Sequence, residues 1–114
     1  MHIDAYQFGR IVIDGAEYVQ DVIILPDHVQ AGWWRREGHH LHLEDLAAVL
    51  TAPPRVLIIG RGFAGVMRVP SELVQALEAQ GIEVHVAKSR EAVALYNELA
   101  PSTPSLAAAI HLTC

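Results

Sequence analysis

The run Val56-Leu57-Ile58-Ile59, followed by Gly60-Arg61-Gly62-Phe63-Ala64-Gly65, constrains this chain more than any other stretch. Four successive apolar residues, three of them β-branched, do not alternate with polar ones. Such a run suits a central strand covered on both faces, as in a parallel sheet. Strands of that kind need helical crossovers, and the sequence that follows supplies them. Pro70 or Ser71 opens a helix through Gln80, with Leu73, Ala76 and Leu77 on its core face and Gly81 at the C-cap position. Ile82 to Ala87 reads as the next strand, parallel to the first if the crossover has the usual right hand. Ser89 stands where an N-cap belongs for a third helix, whose apolar face is Ala92, Leu95, Tyr96 and Leu99. Pro101 and Pro104 end it. Leu106 to Leu112 is small and apolar and reads as a closing strand, with a helix as the rival.

The first half of the chain has a different texture. His2 to Phe8 alternates as a half-buried strand does, and Gly9 breaks it. Arg10 to Ile13 and Ala16 to Val19 flank Asp14-Gly15, a hairpin signal because a type I′ turn needs positive φ at both central positions. Val22 to Leu25 is a further apolar strand stopped by Pro26, so residues 1 to 25 read as an antiparallel meander. Pro26 to Gly32 reads as a connection and Trp33 to Arg36 as a short strand. Leu43, Leu46, Ala47 and Leu50 fall on one helical face, with His42 as a cap, Glu44 and Asp45 in the first turn, and Pro53-Pro54 at the end. The expectation is one α/β domain over residues 1–114, with a mixed central sheet, an N-terminal antiparallel meander or hairpin, and about three helices.

Composition narrows the function classes. With 52% apolar and 18% charged residues, a sizeable core can form and disorder is disfavoured. A formal net charge of -5 argues against nucleic acid, whose phosphates demand clustered Lys and Arg, and here only Arg35-Arg36 adjoin. One cysteine, Cys114, forms no internal disulfide. The N-terminus lacks the pattern of a signal peptide, and no apolar run reaches the roughly 18 residues that span a bilayer. The expected compartment is the cytoplasm.

Gly60 to Gly65 matches G-x-G-x-x-G after a strand. Glycines let backbone N–H groups approach an anion, and a helix N-terminus adds a favourable dipole. A dinucleotide is disfavoured on three grounds. Val66 to Pro70 separates the motif from the helix, the next strand ends in Lys88 with no acid to hold a ribose, and too little chain follows for a second nucleotide half. The remaining readings are a structural turn or a cradle for a small anion, with Arg61 supplying charge.

His39-His40-Leu41-His42 invites a zinc reading, with Asp45, His85, His111 and Cys114 as distant ligands, but no spacing makes them converge. A loop or helix-cap role is the better reading, and no metal and no cofactor are expected. His111 with Cys114 as a nucleophilic pair is disfavoured at a chain end. Trp33 and Trp34, being adjacent on an extended segment, point to opposite faces, which leaves one of them for an interface.

Three blocks carry a family resemblance. Trp34 to His39 with Leu43-Glu44-Asp45-Leu46 is the first, and Val56 to Gly65 with Pro70 is the second. The third comprises Lys88-Ser89, Ala92, Tyr96-Asn97, Leu99, Ala107 to His111 and Cys114. In this order they resemble the small Mth-type domain family, long labelled a domain of unknown function, along essentially the whole chain. Its eukaryotic members include an adipogenesis-associated protein and a mitochondrial assembly factor for respiratory complex I. The resemblance implies a three-layer α/β fold with an added hairpin region, and binding or assembly work rather than an established reaction. The family loop usually reads Gly-Thr-Gly, and Arg61 replaces that threonine here. Ser89 replaces a later threonine and keeps its hydroxyl.

Two functional expectations follow. The first is a non-catalytic binding or assembly-factor domain with a protein partner or a second copy of itself. The second is a small-ligand domain or enzyme for an anion or acidic metabolite. Its site would comprise Gly60, Arg61, Gly62, Phe63 and Gly65, with Ser89 and Asn97 nearby and His39 as the best general base.

Overall fold

The computed structural model describes residues 1–114. Three short strands, β1 (Ile3–Gln7), β2 (Arg10–Ile13) and β3 (Ala16–Tyr18), form an antiparallel sheet in sequence order. The turn between β2 and β3 places Asp14 at φ 48° and Gly15 at φ 81°, the doubly positive geometry that makes Asp-Gly a hairpin signal. A second, five-stranded sheet contains β4 (Val22–Ile24), β5 (Val29–Ala31), β6 (Val56–Arg61), β7 (Glu83–Ala87) and β8 (Leu106–His111), in the order β5-β4-β8-β6-β7. Its β7, β6 and β8 are mutually parallel, whereas β4 runs antiparallel to β8 and to β5.

The helices are α1 (Ala47–Leu50), entered through a 3-10 turn at Leu43–Leu46, then α2 (Ser71–Glu78) and α3 (Ser89–Leu99). The crossover from β6 through α2 steps outward to β7, and the one from β7 through α3 steps back past β6 to β8. Crossovers of one hand that step in opposite directions put their helices on opposite faces. The strands show the result. Leu57, Ile59, Ala107 and Ala109 pack with Leu46, Val49, Leu73 and Leu77 on one side. Ile58, Ala108 and Ile110 pack with Ala92 and Tyr96 of α3 and with Ile3, Ile11 and Ile13 of the small sheet on the other. Both faces of β6 and β8 are therefore dry, which is why neither strand alternates. Fully burying each large aliphatic side chain contributes about 1.5–3 kcal/mol.

Four readings of the sequence are corrected here. Strand β4 does not continue the N-terminal meander; it crosses to the larger sheet and pairs with β8. The stretch read as a connection contains β5, closed onto β4 through Leu25 N–H donating to the His28 carbonyl at 2.8 Å. Trp33 to Arg36 is not a strand but an irregular segment. Lys88, not Ser89, is the N-cap of α3: its backbone is extended at φ -60° and ψ 151°, Ser89 is the first helical residue, and the Ser89 hydroxyl bonds Gly62 and His111 instead.

Candidate functional site

The C-terminal ends of the parallel strands β6 and β8 lie side by side, with Arg61 opposite His111. Past this point the chain runs on as Leu112-Thr113-Cys114 directly against the glycine loop. Phe63 N–H donates to the Thr113 carbonyl at 3.0 Å, and Val66 N–H donates to the Cys114 carbonyl at 2.9 Å. Gly62 sits at φ 100°, and a Cβ there would overlap the Cys114 backbone. Two loop N–H groups that an anion could use are thus engaged by the chain's own residues.

The other glycine-loop residues have equally specific tasks. Gly60 is buried, and a Cβ would lie 2.9 Å from Ser89 Oγ and 3.3 Å from Ala92 Cβ, so its absence lets α3 approach the strand closely. Ser89 Oγ accepts from Gly62 N–H at 2.9 Å and donates to the His111 carbonyl at 2.5 Å, stitching loop, helix and β8 together. Arg61 braces its own loop, donating from Nη2 to the Gly65 carbonyl at 2.8 Å and from Nε to the Met67 carbonyl at 3.2 Å. It also lines a cavity of about 300 Å³ with Arg68, Val69, Pro70, Ser71 and Val86. Phe63 is partly exposed, with the Arg90 guanidinium 5.0 Å over its ring and Phe8 edge-on at 6.0 Å.

Asn97 is not brought to this loop. Eight residues along α3 from Ser89 amount to about 12 Å of helix. There Asn97 clamps the backbone of Ile3, accepting from its N–H and donating to its carbonyl, both at 2.8 Å. His39 is brought near the strand ends, with its ring 6.3 Å from that of His111. The His39 carbonyl accepts from Arg68 N–H, and the Arg68 carbonyl accepts from Leu41 N–H, each at 2.9 Å, which ties this segment to the stretch after the glycine loop. The His40 and His42 rings lie 4.8 Å apart, and His42 pairs with Glu37.

Sequence reasoning missed the best-built polar cluster. Asp21, just before β4, accepts from Arg35 Nη1 at 2.7 Å and from His111 Nδ1 at 2.8 Å through Oδ2, and from Leu112 N–H at 2.7 Å through Oδ1. The Arg35 side chain is 5% exposed and that of His111 6%. Arg35 lies 4.7 Å over the Trp33 ring and donates to the Gly38 carbonyl at 3.1 Å, while Trp33 Nε1 donates to the Asp45 carbonyl at 2.8 Å. Once Nδ1–H serves Asp21, the 3.1 Å approach of Arg35 Nη2 to the same nitrogen is a close contact and not a second bond. His111 Nε2 and Arg35 Nε have no partner within the protein. Burial pushes the Asp21 carboxyl upward, but hydrogen bonds from His111, Leu112 and Arg35 outweigh it and hold the group below the usual carboxylate range. The available signal was indirect. A lone acid before one buried strand, a histidine ending another and an arginine beside a tryptophan are each ordinary. They matter only because a charge at a dry sheet end requires a partner.

The same end of the molecule gathers exposed apolar side chains. Trp34 is 76% exposed while its neighbour Trp33 is buried, so one of the pair is left at the surface. Trp34, Val19, Asp21 and Thr113 are among the residues lining a cavity of about 360 Å³. Phe8, Phe63 and Val66 are also exposed. Phe8 precedes Gly9, whose N–H donates to the Leu112 carbonyl at 3.1 Å, and the Phe63 and Val66 N–H groups bind residues 113 and 114. Five of the six large exposed hydrophobic residues thus border the Leu112–Cys114 segment, and Val86 is the sixth.

The family model for proteins of unknown function DUF498/DUF598 matches residues 3–111. The chain belongs to this family. It is 30% identical to the conserved hypothetical protein PH1505 of Pyrococcus horikoshii OT3, with all of both chains covered and a TM-score of 0.83. It is 26% identical to the protein MT938 over 99% of this chain and 98% of that one, with a TM-score of 0.78. A Mth938-like domain from Bordetella pertussis shares the fold at 19% identity and a TM-score of 0.67, over 97% of this chain and 85% of that one. The Mth-type resemblance and the α/β fold with its mixed sheet are thereby established for this DUF498/DUF598 chain. No helix in it is long and apolar enough to cross a membrane.

Proposed function

We propose that this DUF498/DUF598 protein is a binding domain that works in assembly by docking a protein partner on the end of the fold around Leu112–Cys114. The observation that carries this reading is the gathering there of Phe8, Val19, Trp34, Phe63 and Val66, all exposed. Phe8 packs edge-on against Phe63, and Val19 shares a surface depression with Trp34, so these are clustered apolar side chains of the kind that mark interaction sites. Scattered single residues would need no explanation. The scaffold beneath the patch is rigid. Asp21 joins the start of β4, the end of β8 and the Trp33–His42 segment, so Trp34 is presented from a fixed base. Preorganisation of that sort reduces the ordering cost of association. The Asp21–His111 pair has the form of an acid-oriented imidazole, but with His111 buried it serves as a lock within the fold and not as a base open to substrate.

The test compares capture by the wild-type chain with capture by Trp34→Ser and by Phe8→Ser/Phe63→Ser from native lysate, together with sedimentation velocity of each. A defined partner, or self-association, present in the wild type and lost in both correctly folded variants supports the reading. The same species bound by all three chains, or no species bound by any, overturns it.

A second reading rests on one observation, the cavity where Arg61 and Arg68 stand beside the start of α2. A small acidic ligand would meet two guanidinium groups and a helix N-terminus there. A thermal-shift screen with anions, nucleotides and acidic metabolites tests it. A ligand at 100 times its Kd raises stability by about 2.7 kcal/mol, and that shift must vanish in Arg68→Ser.

A further inference from the structure

Resting on the docking reading above, we infer that the partner is a protein segment that presents an apolar or aromatic anchor flanked by Asp and Glu. What selects such a partner is where this acidic protein keeps its unpaired positive charge. Its formal net charge is -5, with eight Lys and Arg residues in all. Arg10 pairs with Glu17, Arg35 with Asp21 and Arg36 with Glu44. Arg55, Arg61, Arg68, Lys88 and Arg90 have no carboxylate partner. Arg55 lies just before β6, at the opposite end of the sheet. The other four all flank the apolar end. Lys88 and Arg90 line a cavity of about 360 Å³ with Phe63 and Ala64, and Glu91 is the single carboxylate on its wall. Arg61 and Arg68 line a second cavity, at the start of α2. Exposed Val66 falls in sequence between Ala64 of the first pocket and Arg68 of the second.

Unpaired cations around an apolar centre have the arrangement of an interface in which the core supplies contact area and the rim supplies register and encounter rate. Nucleic acid would also meet these charges, yet the flanking surface is apolar and lacks the extended basic track that phosphates require. An anionic bilayer would meet both features. Against it stands the modest number of cations, each contributing only about 1 kcal/mol near a charged leaflet. The exposed apolar residues there also come from turns and loops of separate segments, and not from an amphipathic helix of the kind that lies in a bilayer surface. The protein segment is therefore the occupant these features favour.

The experiment selects a random twelve-residue phage-displayed library on the intact chain, in parallel with a Lys88→Glu/Arg90→Glu variant. Lys88 and Arg90 are exposed, so the variant is expected to keep the wild-type fold and Tm. Selected peptides should carry Phe, Leu or Trp with Asp or Glu on either side. The best of them, titrated as a synthetic peptide by the change in Trp34 fluorescence, should bind the variant about tenfold more weakly. Its affinity for the wild type should also fall as salt rises. Apolar peptides without acidic enrichment, bound equally by both chains, would sink the acidic-partner inference and leave the docking reading standing. No enrichment at all, with Trp34 emission shifting only on phosphatidylserine-containing vesicles, would sink both and assign the face to a lipid surface.

Discussion

Replacing Asp21 by asparagine isolates the cluster that holds the candidate face together. The carboxylate receives three hydrogen bonds, from Arg35, His111 and the Leu112 N–H. An amide oxygen can keep the Leu112 bond. The amide nitrogen then confronts the Arg35 and His111 donors with a donor of its own, and Arg35, with a side chain 5% exposed, is left as a buried charge without a counterion. Removing one partner of a buried ion pair costs about 3–5 kcal/mol. A domain of this size has a total stability of roughly 5–15 kcal/mol, so Asp21→Asn should fold with little margin. Urea unfolding followed by far-UV circular dichroism measures the loss as a fall in midpoint at unchanged m-value. The double variant Asp21→Asn/Arg35→Met removes the stranded charge and should regain about 2 kcal/mol or more relative to the single change. A single change costing under about 1 kcal/mol, or losses that simply add in the double variant, would refute the claim that this pair is a buried and coupled lock.

Other perturbations give equally definite outcomes. Because the Asp21 carboxyl lies below its ordinary value in the fold, its stabilisation is present above the unfolded carboxylate range near pH ~3.9 and is lost as pH falls through the folded value. Wild type and Asp21→Asn should therefore converge in urea midpoint below about pH 4, and parallel curves down to about pH 2 would contradict this. Gly60→Ala puts a methyl 2.9 Å from Ser89 Oγ and 3.2 Å from Ile110 Cδ1. It should cost about 1–3 kcal/mol by overpacking, read from thermal unfolding. Gly62→Ala should displace the Leu112–Cys114 segment, so hydrogen exchange at the Phe63 and Val66 amides should quicken while exchange in β6 itself is unchanged. Acrylamide should quench about half of the tryptophan emission readily, and Trp34→Phe should remove that fraction while leaving the protected Trp33 signal.

The parts of the fold that could be read in advance are those where one local rule decides. The unbroken apolar run at Val56–Ile59 required cover on both faces, and helices on both faces followed. Asp14-Gly15 had one favourable turn available. The errors fell where the deciding partner is remote in sequence. Strand β5 has three residues, and its only partner is β4. Whether β4 continued the meander or left it depended on β8, which lies at the far end of the chain. Ser89 has the chemistry of a cap, but at 0% exposure its hydroxyl meets Gly62 and His111, neither of which its neighbours in sequence reveal. Among the candidate residues, the glycine loop lies at the end of β6 because it follows that strand, whereas His39 reaches the strand ends through remote partners, Arg68 and His111. The Asp21–Arg35–His111 cluster draws on three distant segments and leaves no spacing pattern to find.

The position of β8 has a consequence for how the protein comes into being. The strand latest in sequence is the middle strand of the larger sheet, and it is what joins β4 to β6. Until residues 106–111 are available, the N-terminal strands and the β6-α2-β7 unit have no shared ladder. Before then the two halves meet only through local contacts such as the Arg68 backbone bonds to His39 and Leu41 and the Asn97 clamp on Ile3. Long-range pairings of this kind slow folding and lengthen the exposure of unpaired edges. Without β8, the flank of β6 that it occupies is an open parallel edge, the kind of unpaired strand edge that templates aggregation.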